Sequence, residues 1–314
     1  MGVERPEELC QTITREEIFN MRYEGNVFRP PSEANSFILQ VTIGCSHNKC
    51  TFCSMYKKKK YRIRELAEIE TDINMAKIIY GDTEKVFLAD GDALALETGQ
   101  LIQVLTSLRR NFPGLKHIGI YASPSSILQK KPLELTVLKQ NGLSMAYLGV
   151  ETGDPELLQD IQKGVSIEEM AEAGKAVVNS GIELSCTIIL GLAGKERKKA
   201  RQHACKTAAL ISRISPDYLG ALTLMLEPET ALFRKMQRGE FQVADPYEIM
   251  EELLILVQNL RVQRDCIFRS NHASNYLPIR GTLPRDQQAI LEVLEKVLRI
   301  KDEHYLRPDF MRGL

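Results

Sequence analysis

From Ser36 onward, short apolar or β-branched runs alternate with longer stretches whose apolar residues recur every three or four positions. The runs are Phe37–Ile43, Lys85–Ala89, His117–Ala122, Met145–Val150, Leu184–Leu190 and Tyr218–Leu226, and they read as buried strands. Between them, Leu66–Tyr80, Gln100–Asn111, Leu133–Asn141, Ile167–Ser180 and Lys195–Ile214 carry the helical period. Asn141-Gly142 and Ser180-Gly181 are helix stops set directly before strands. Strands that each lead into a helix imply a parallel sheet with right-handed crossovers. Six such units fall two short of a closed eight-stranded barrel. The expected fold class is therefore α/β, an open partial (β/α)6 barrel over residues 36–230. A short N-terminal lead-in, residues 1–35, contains one candidate helix. A helical C-terminal closing segment, 231–314, is read as a long helix at Asp245–Arg264, an irregular stretch Cys266–Pro284 and a last helix at Arg285–Lys301.

Composition narrows the class of protein without choosing a function. Lys plus Arg equals Asp plus Glu at 41 each, so no global field gathers nucleic acid or an anionic membrane. No run of about 18 apolar residues is present, and none of the sequence reads as a membrane span. Met1–Glu8 is polar and lacks the apolar core of a signal peptide, so a cytoplasmic protein is expected. Of seven cysteines, Cys10, Cys186, Cys205 and Cys266 are scattered, which is no disulfide framework.

The other three cysteines change the picture. Cys45, Cys50 and Cys53 lie on one loop, Gly44 to Tyr56, directly after the first strand. Three thiolates so grouped can hold three irons of a [4Fe–4S] cube and leave the fourth iron without a protein ligand. An open coordination position makes a metal centre reactive rather than merely structural. The alternative is a zinc knuckle with His47 as the fourth ligand, or more broadly a metal- or iron–sulfur-binding redox or regulatory module without radical chemistry.

Ligands of parallel βα folds bind at the carboxyl ends of the strands. Those ends are polar or glycine-rich here: the cysteine loop, Asp90-Gly91-Asp92, Ser123-Pro124-Ser125, Glu151-Thr152-Gly153, Gly191 to Gly194 and Glu227-Pro228-Glu229. Loops that cap helices produce the same pattern at any single strand, but six together favour one lined rim.

The C-x4-C-x2-C spacing, with Phe52 just before the third cysteine, resembles the radical S-adenosylmethionine (SAM) superfamily, whose usual spacing is one residue shorter. Over about residues 36–230 the chain is most similar to the branch of coproporphyrinogen oxidase-like proteins and Elongator catalytic subunits. The resemblance implies a radical enzyme with a [4Fe–4S] cluster and SAM as cofactors. The enzyme would cleave SAM reductively to a 5′-deoxyadenosyl radical and abstract hydrogen from an unidentified substrate. It further implies that Asp90, Gly91 and Asp92 hold the SAM amino group and Ser123 its amino-acid end. Glu151 would lie near the ribose and Lys163 would pair with the carboxylate. Thr187 and Ile189 would line ribose and adenine. Phe52 either shields the cluster or flanks adenine, or else simply anchors the loop.

A reducing partner such as flavodoxin or ferredoxin is expected, with a substrate that is most simply a small molecule. Lys57–Lys60 could receive either an anionic substrate or that donor, although a solvated charge run is the commoner reading. Glu227 either faces the cavity or caps the next helix. Arg269, Asn271, His272 and Asn275 belong to an unusually polar segment that either reaches substrate or pins the tail to the barrel. His203 and His304 read as surface residues. No second cysteine cluster and no cobalamin or acetyltransferase segment is recognised, and the balanced charge argues against a tRNA substrate.

Overall fold

The computed structural model describes residues 21–313. The six predicted strands form in the expected places: β1 (Phe37–Gln40), β4 (Lys85–Ala89), β5 (His117–Ala122), β6 (Met145–Glu151), β7 (Glu183–Leu190) and β8 (Tyr218–Thr223). They pair in parallel in that spatial order. Between β1 and β4, the short strands β2 (Thr42–Ile43) and β3 (Arg62–Ile63) pair as a separate antiparallel ribbon that brackets the cysteine loop. The helical periods materialise as Leu66–Tyr80, Thr98–Asn111, Pro132–Gln140, Ile167–Asn179 and Arg197–Ile214. Gly142 and Gly181 take positive φ angles of 100° and 80°, conformations that suit glycine, where the chain leaves a helix for the next strand.

Two expectations need correction. Cys266–Pro284 is not irregular: β9 (Cys266–Ser270) joins β8 in parallel, and β10 (Ile279–Leu283) pairs antiparallel with β9. The closing segment thus extends the sheet as well as adding helices, and the sheet ends at β10 without returning to β1. The strands escape a reading by hydrophobicity because Arg269 and Arg280 interrupt their apolar runs. His203 is no surface residue. It is 1% exposed, and its Nδ1 lies 2.8 Å from Glu252 Oε1, off the line of a hydrogen bond. His304, by contrast, has its side chain in solvent. Within the lead-in, Pro31–Glu33 forms one turn of 3-10 helix; the part before Met21 lies outside the described residues.

Alternation along the strands separates two faces. Leu39, Val86, Ile120, Leu148, Ile188 and Ala221 point outward into the main core beneath the helices. Ile38, Phe87, Tyr121, Tyr147 and Tyr218 point inward and line the lumen, with Phe87, Tyr121 and Tyr147 meeting edge to face. Glu33, 1% exposed, closes the lower end of the lumen by accepting hydrogen bonds from Tyr147 Oη at 2.5 Å and from His117 Nε2 at 2.8 Å.

The first helix is tied to that rim through buried charge. Arg64 Nη1 donates to Asp72 Oδ2 at 2.5 Å and to the Gln40 carbonyl at 2.9 Å, while Arg22 Nε donates to Asp72 Oδ1 at 2.7 Å. Arg64 and Asp72 side chains are 2% and 4% exposed, so removing one strands the other away from water. Asp72→Ala is expected to lower the unfolding free energy by about 3–5 kcal/mol in a denaturant titration. Lys116→Ala, which breaks the exposed pair with Glu84, should leave the midpoint nearly unmoved. Equal midpoints for the two variants would remove this pair from the account.

Candidate active site

The cysteine loop leaves β2 at Gly44, whose φ of 72° turns the chain over the ends of the strands. Asp90, at the end of β4 and fully buried, anchors that turn. Its Oδ2 accepts from the Gly44 amide at 3.0 Å, from Gln40 Nε2 at 3.1 Å and from Lys59 Nζ at 2.7 Å. A buried carboxylate is tolerable only when so compensated. Lys59 also donates to the Asn26 carbonyl, Lys57 donates to the Asn48 carbonyl, and Lys58 pairs with Glu229. The Lys57–Lys60 run is therefore largely a set of latches rather than a free basic face.

The next residues extend the same support. The Gly91 amide donates to the Gly44 carbonyl at 3.0 Å. A Cβ on Gly91 would stand 2.5 Å from the Tyr56 ring and 3.0 Å from Cys45 Cβ, so only glycine lets the loop lie this close. Asp92, 1% exposed, accepts from Ser46 Oγ on the cysteine loop and from the Ser123 hydroxyl and amide at 2.9 and 3.1 Å. Ser123 in turn caps the short helix Pro124–Leu128. Asp90, Gly91, Asp92 and Ser123 thus converge beneath the loop, with their side-chain oxygens largely engaged by protein. Asp90 Oδ1 and Tyr56 Oη are buried without a hydrogen-bond partner among the described residues.

On the opposite side the loop is stitched to the segment after β6. The Thr51 amide donates to the Ile161 carbonyl at 2.9 Å, Thr51 Oγ1 reaches the Asp160 carbonyl, and His47 Nε2 meets the Gln162 carbonyl at 2.6 Å. His47 also lies against Gly164, where a Cβ would come within 2.5 Å of its ring. These contacts bring Lys163 to the cysteines. Lys163 Nζ donates to Glu151 Oε1 at 2.8 Å. Burial works against the lysine's charge, but Glu151 and Cys50 outweigh it and the lysine pKa is raised.

Glu151 is aimed by its backbone. It adopts φ 63° where the β6–β7 register shifts between Gly149 and Glu151, a conformation costing of order 1–3 kcal/mol for a residue with a Cβ. A Cβ on Gly149 would stand 2.2 Å from Glu151 Oε1, and one on Gly153 would strike the backbone of helix Arg197–Ile214 at Lys206. In the Gly-x-Glu-x-Gly stretch the two glycines thus do different work: Gly149 clears the space in which the Glu151–Lys163 pair sits, and Gly153 lets the chain pass close to the Arg197–Ile214 helix.

Thr187 and Ile189 stand on the lumen face of β7, and Ile189 packs in a rim cluster with Phe52, Leu192 and Leu224. Phe52 accordingly anchors the loop and shares an apolar wall with Ile189. The residues expected to reach substrate divide. Asn275 is spent on β8, accepting from Thr223 Oγ1 at 2.8 Å and donating to the Ala221 carbonyl at 2.9 Å. His272 Nδ1 meets Ser274 Oγ at 2.9 Å, and burial lowers its pKa. Asn271 is exposed, and Glu227 receives Thr230 on its carbonyl while Thr230 itself caps the following helix. Of that set, Arg269 alone lies on the lumen face of a strand. A cavity of about 890 Å³ on the helical side, between Leu158, Gln162, Lys206 and Arg213, touches none of the predicted site residues.

Cys45, Cys50 and Cys53 are free thiols, each half-buried. Burial pushes the Cys50 thiol up to about 11 and Cys53 upward as well, so metal binding must displace protons. Among the described residues no three His, Cys, Asp or Glu side chains close on one point as ligands of a single ion would. A cube asks for no such point, since each cysteine takes a different iron. The donor set fits a cube with one open iron. Around the cysteine loop stand the Lys163–Glu151 pair and the Phe52–Ile189 wall, with Thr187 on the same face of β7, residue types that suit a sulfonium zwitterion bearing an adenosine.

Comparison with known proteins supports the same reading. The family model described as the radical SAM superfamily matches residues 39–204. The heme chaperone HemW of Bacillus subtilis (strain 168) is 24% identical over 224 residues, covering 66% of this chain and 56% of that protein. The chain thus spans little more than half the length of that relative. Coproporphyrinogen III oxidase (HemN) from Escherichia coli, a radical SAM enzyme, superposes with a TM-score of 0.54 at 18% identity, over 71% of this chain and 52% of that one. The radical SAM methyltransferase TsrM from Kitasatospora setae, solved with tryptophan and a SAM analogue, gives 0.51 at 19% identity over 66% and 39%. No helix among the described residues is long and apolar enough to cross a membrane. With the family model covering more than half of its length, the chain belongs to the radical SAM superfamily, enzymes that work with a [4Fe–4S] cluster and SAM.

Proposed function

We propose that Cys45, Cys50 and Cys53 hold a [4Fe–4S] cluster beside a SAM site formed by Glu151, Lys163, Thr187 and Ile189, and that the protein abstracts hydrogen from a substrate admitted to the lumen. The observation that carries this reading is the stitching of the cysteine loop to residues 160–164, which sets Lys163 and its partner Glu151 beside that loop. When bound, the cluster would supply the one electron with which the carbon–sulfur bond of SAM breaks into methionine and a 5′-deoxyadenosyl radical.

The chain's own groups do the holding. Lys163, which donates to Glu151, would offer its charge to the SAM carboxylate, and Glu151 would accept from the ribose hydroxyls. The Thr187 hydroxyl and the Ile189–Phe52 wall receive the nucleoside. Asp90, clamped by Lys59, keeps the cysteine loop in register over β4. The Phe87–Tyr121–Tyr147 edge-to-face contacts and Glu33 close the lumen below and limit water. A flavodoxin- or ferredoxin-type reductant, a cytoplasmic location and a small-molecule substrate belong to this proposal.

Anaerobic reconstitution with iron and sulfide, reduction and addition of SAM should give 5′-deoxyadenosine by chromatography, and Cys45→Ala, Cys50→Ala or Cys53→Ala should abolish both the brown colour and the product. An intact cluster that yields no 5′-deoxyadenosine would refute the radical reading and leave the redox-module alternative. Lys163→Ala in reconstituted protein should weaken SAM binding roughly 10- to 100-fold by equilibrium dialysis, the range for losing a hydrogen bond to a charged group. Unchanged SAM affinity would remove Lys163 from the site.

A further inference from the structure

Two arginines in the lumen are not used by the cofactor site. The interior row of side-chain positions runs across the sheet by strand register: Gly149 beside Thr187, Thr187 beside Gly220, Gly220 beside Arg269, and Arg269 beside Arg280. The neighbours of the arginines along β9 and β10, namely Cys266, Phe268, Ile279 and Leu283, are buried in the helix-side core, which fixes both arginines to the opposite, lumen-facing surface. Arg269 also opposes the effect of burial on Tyr218, a lumen residue one pair lower, where burial raises the pKa and the guanidinium lowers it.

Both side chains are exposed, and neither has a carboxylate within 4.0 Å among the described residues. Arg269 Nη1 is fixed by the Phe268 and Gly281 carbonyls at 2.8 and 3.3 Å, which leaves its charge uncompensated and its other donors free. Like charges directly opposite on paired strands are destabilising. An edge strand often carries charge to prevent aggregation, and that could explain Arg280 on β10. It does not explain Arg269, because β9 is an interior strand. Gly220, between Thr187 and Arg269, has nothing closer than 3.7 Å to the place a Cβ would take, so the row is open at that point.

We propose that Arg269 and Arg280 form an anion subsite that receives a carboxylate or phosphate group of the substrate, the planar forks of two guanidiniums matching either group. This rests on the reading of Thr187 as a SAM-side residue. With strands about 4.8 Å apart, Arg269 stands roughly 10 Å and Arg280 roughly 15 Å from Thr187. The substrate would then carry its anionic group about that far from the carbon that loses hydrogen.

Calorimetric titration of the full chain with glutarate and with pyrophosphate, without cluster or SAM, tests the subsite separately from the radical chemistry. The wild-type protein should bind at least one of the two probes. Arg269→Ala and Arg280→Gln should each weaken that binding at least tenfold, and Arg299→Ala, an exposed residue on the last helix, should bind as wild type. Preference for glutarate assigns a carboxylate and preference for pyrophosphate a phosphate. Wild-type protein that binds neither, or binding that survives both lumen variants, overturns the subsite and leaves the SAM reading intact.

Discussion

The buried Asp90 carboxylate is the joint on which the rim depends. It takes Lys59 from the far end of the cysteine loop, the Gly44 amide from the near end, and Gln40 from β1. Both ends of the loop are thereby fixed to one oxygen at the end of β4. Charge buried away from water costs several kcal/mol unless matched, so the arrangement is closer to all-or-none than a set of surface contacts would be. Gln40 extends the linkage, because its carbonyl accepts from Arg64, which is paired with Asp72 on the first helix. A continuous polar chain thus runs from a helix on the outer layer to the loop that carries the thiols.

A second seam closes the site from the other side. Backbone carbonyls of Asp160, Ile161 and Gln162 receive Thr51 and His47, and the strained turn at Glu151 directs its carboxylate toward Lys163. Between the seams lie the cysteines, and below them a lumen lined by aromatic residues and sealed by Glu33. The end of the lumen beneath the cysteine loop and the side toward β10 differ in character. The first presents the Lys163–Glu151 pair, and the second presents Arg269 and Arg280, which have no carboxylate partner among the described residues, across the gap at Gly220.

Much of this was legible in the chain. Six strands and most helices followed from hydrophobic period, and Gly142 and Gly181 marked two of the turns, because those signals are local. The cysteine loop was legible because three thiols so close have few uses. The β9–β10 pair was hidden by the very arginines that line the lumen, since a strand with one face open to solvent loses its continuous apolar run. His203 looked exposed because its partner Glu252 is on a helix far along the sequence. Lys59 could not be told from Lys57, Lys58 and Lys60, which only the fold distinguishes. The stitching of Thr51 and His47 uses backbone carbonyls, which carry no side-chain signature at all.

The central claim is that three cysteines on this loop hold a cube whose fourth iron is open to SAM. Mössbauer spectroscopy of protein reconstituted with iron-57 tests it most directly. The account predicts four-iron clusters in which one iron changes its spectrum when SAM is added while the other three do not. Clusters whose irons all remain unchanged by SAM, or protein that takes up zinc in preference to iron and forms no cube, would contradict it.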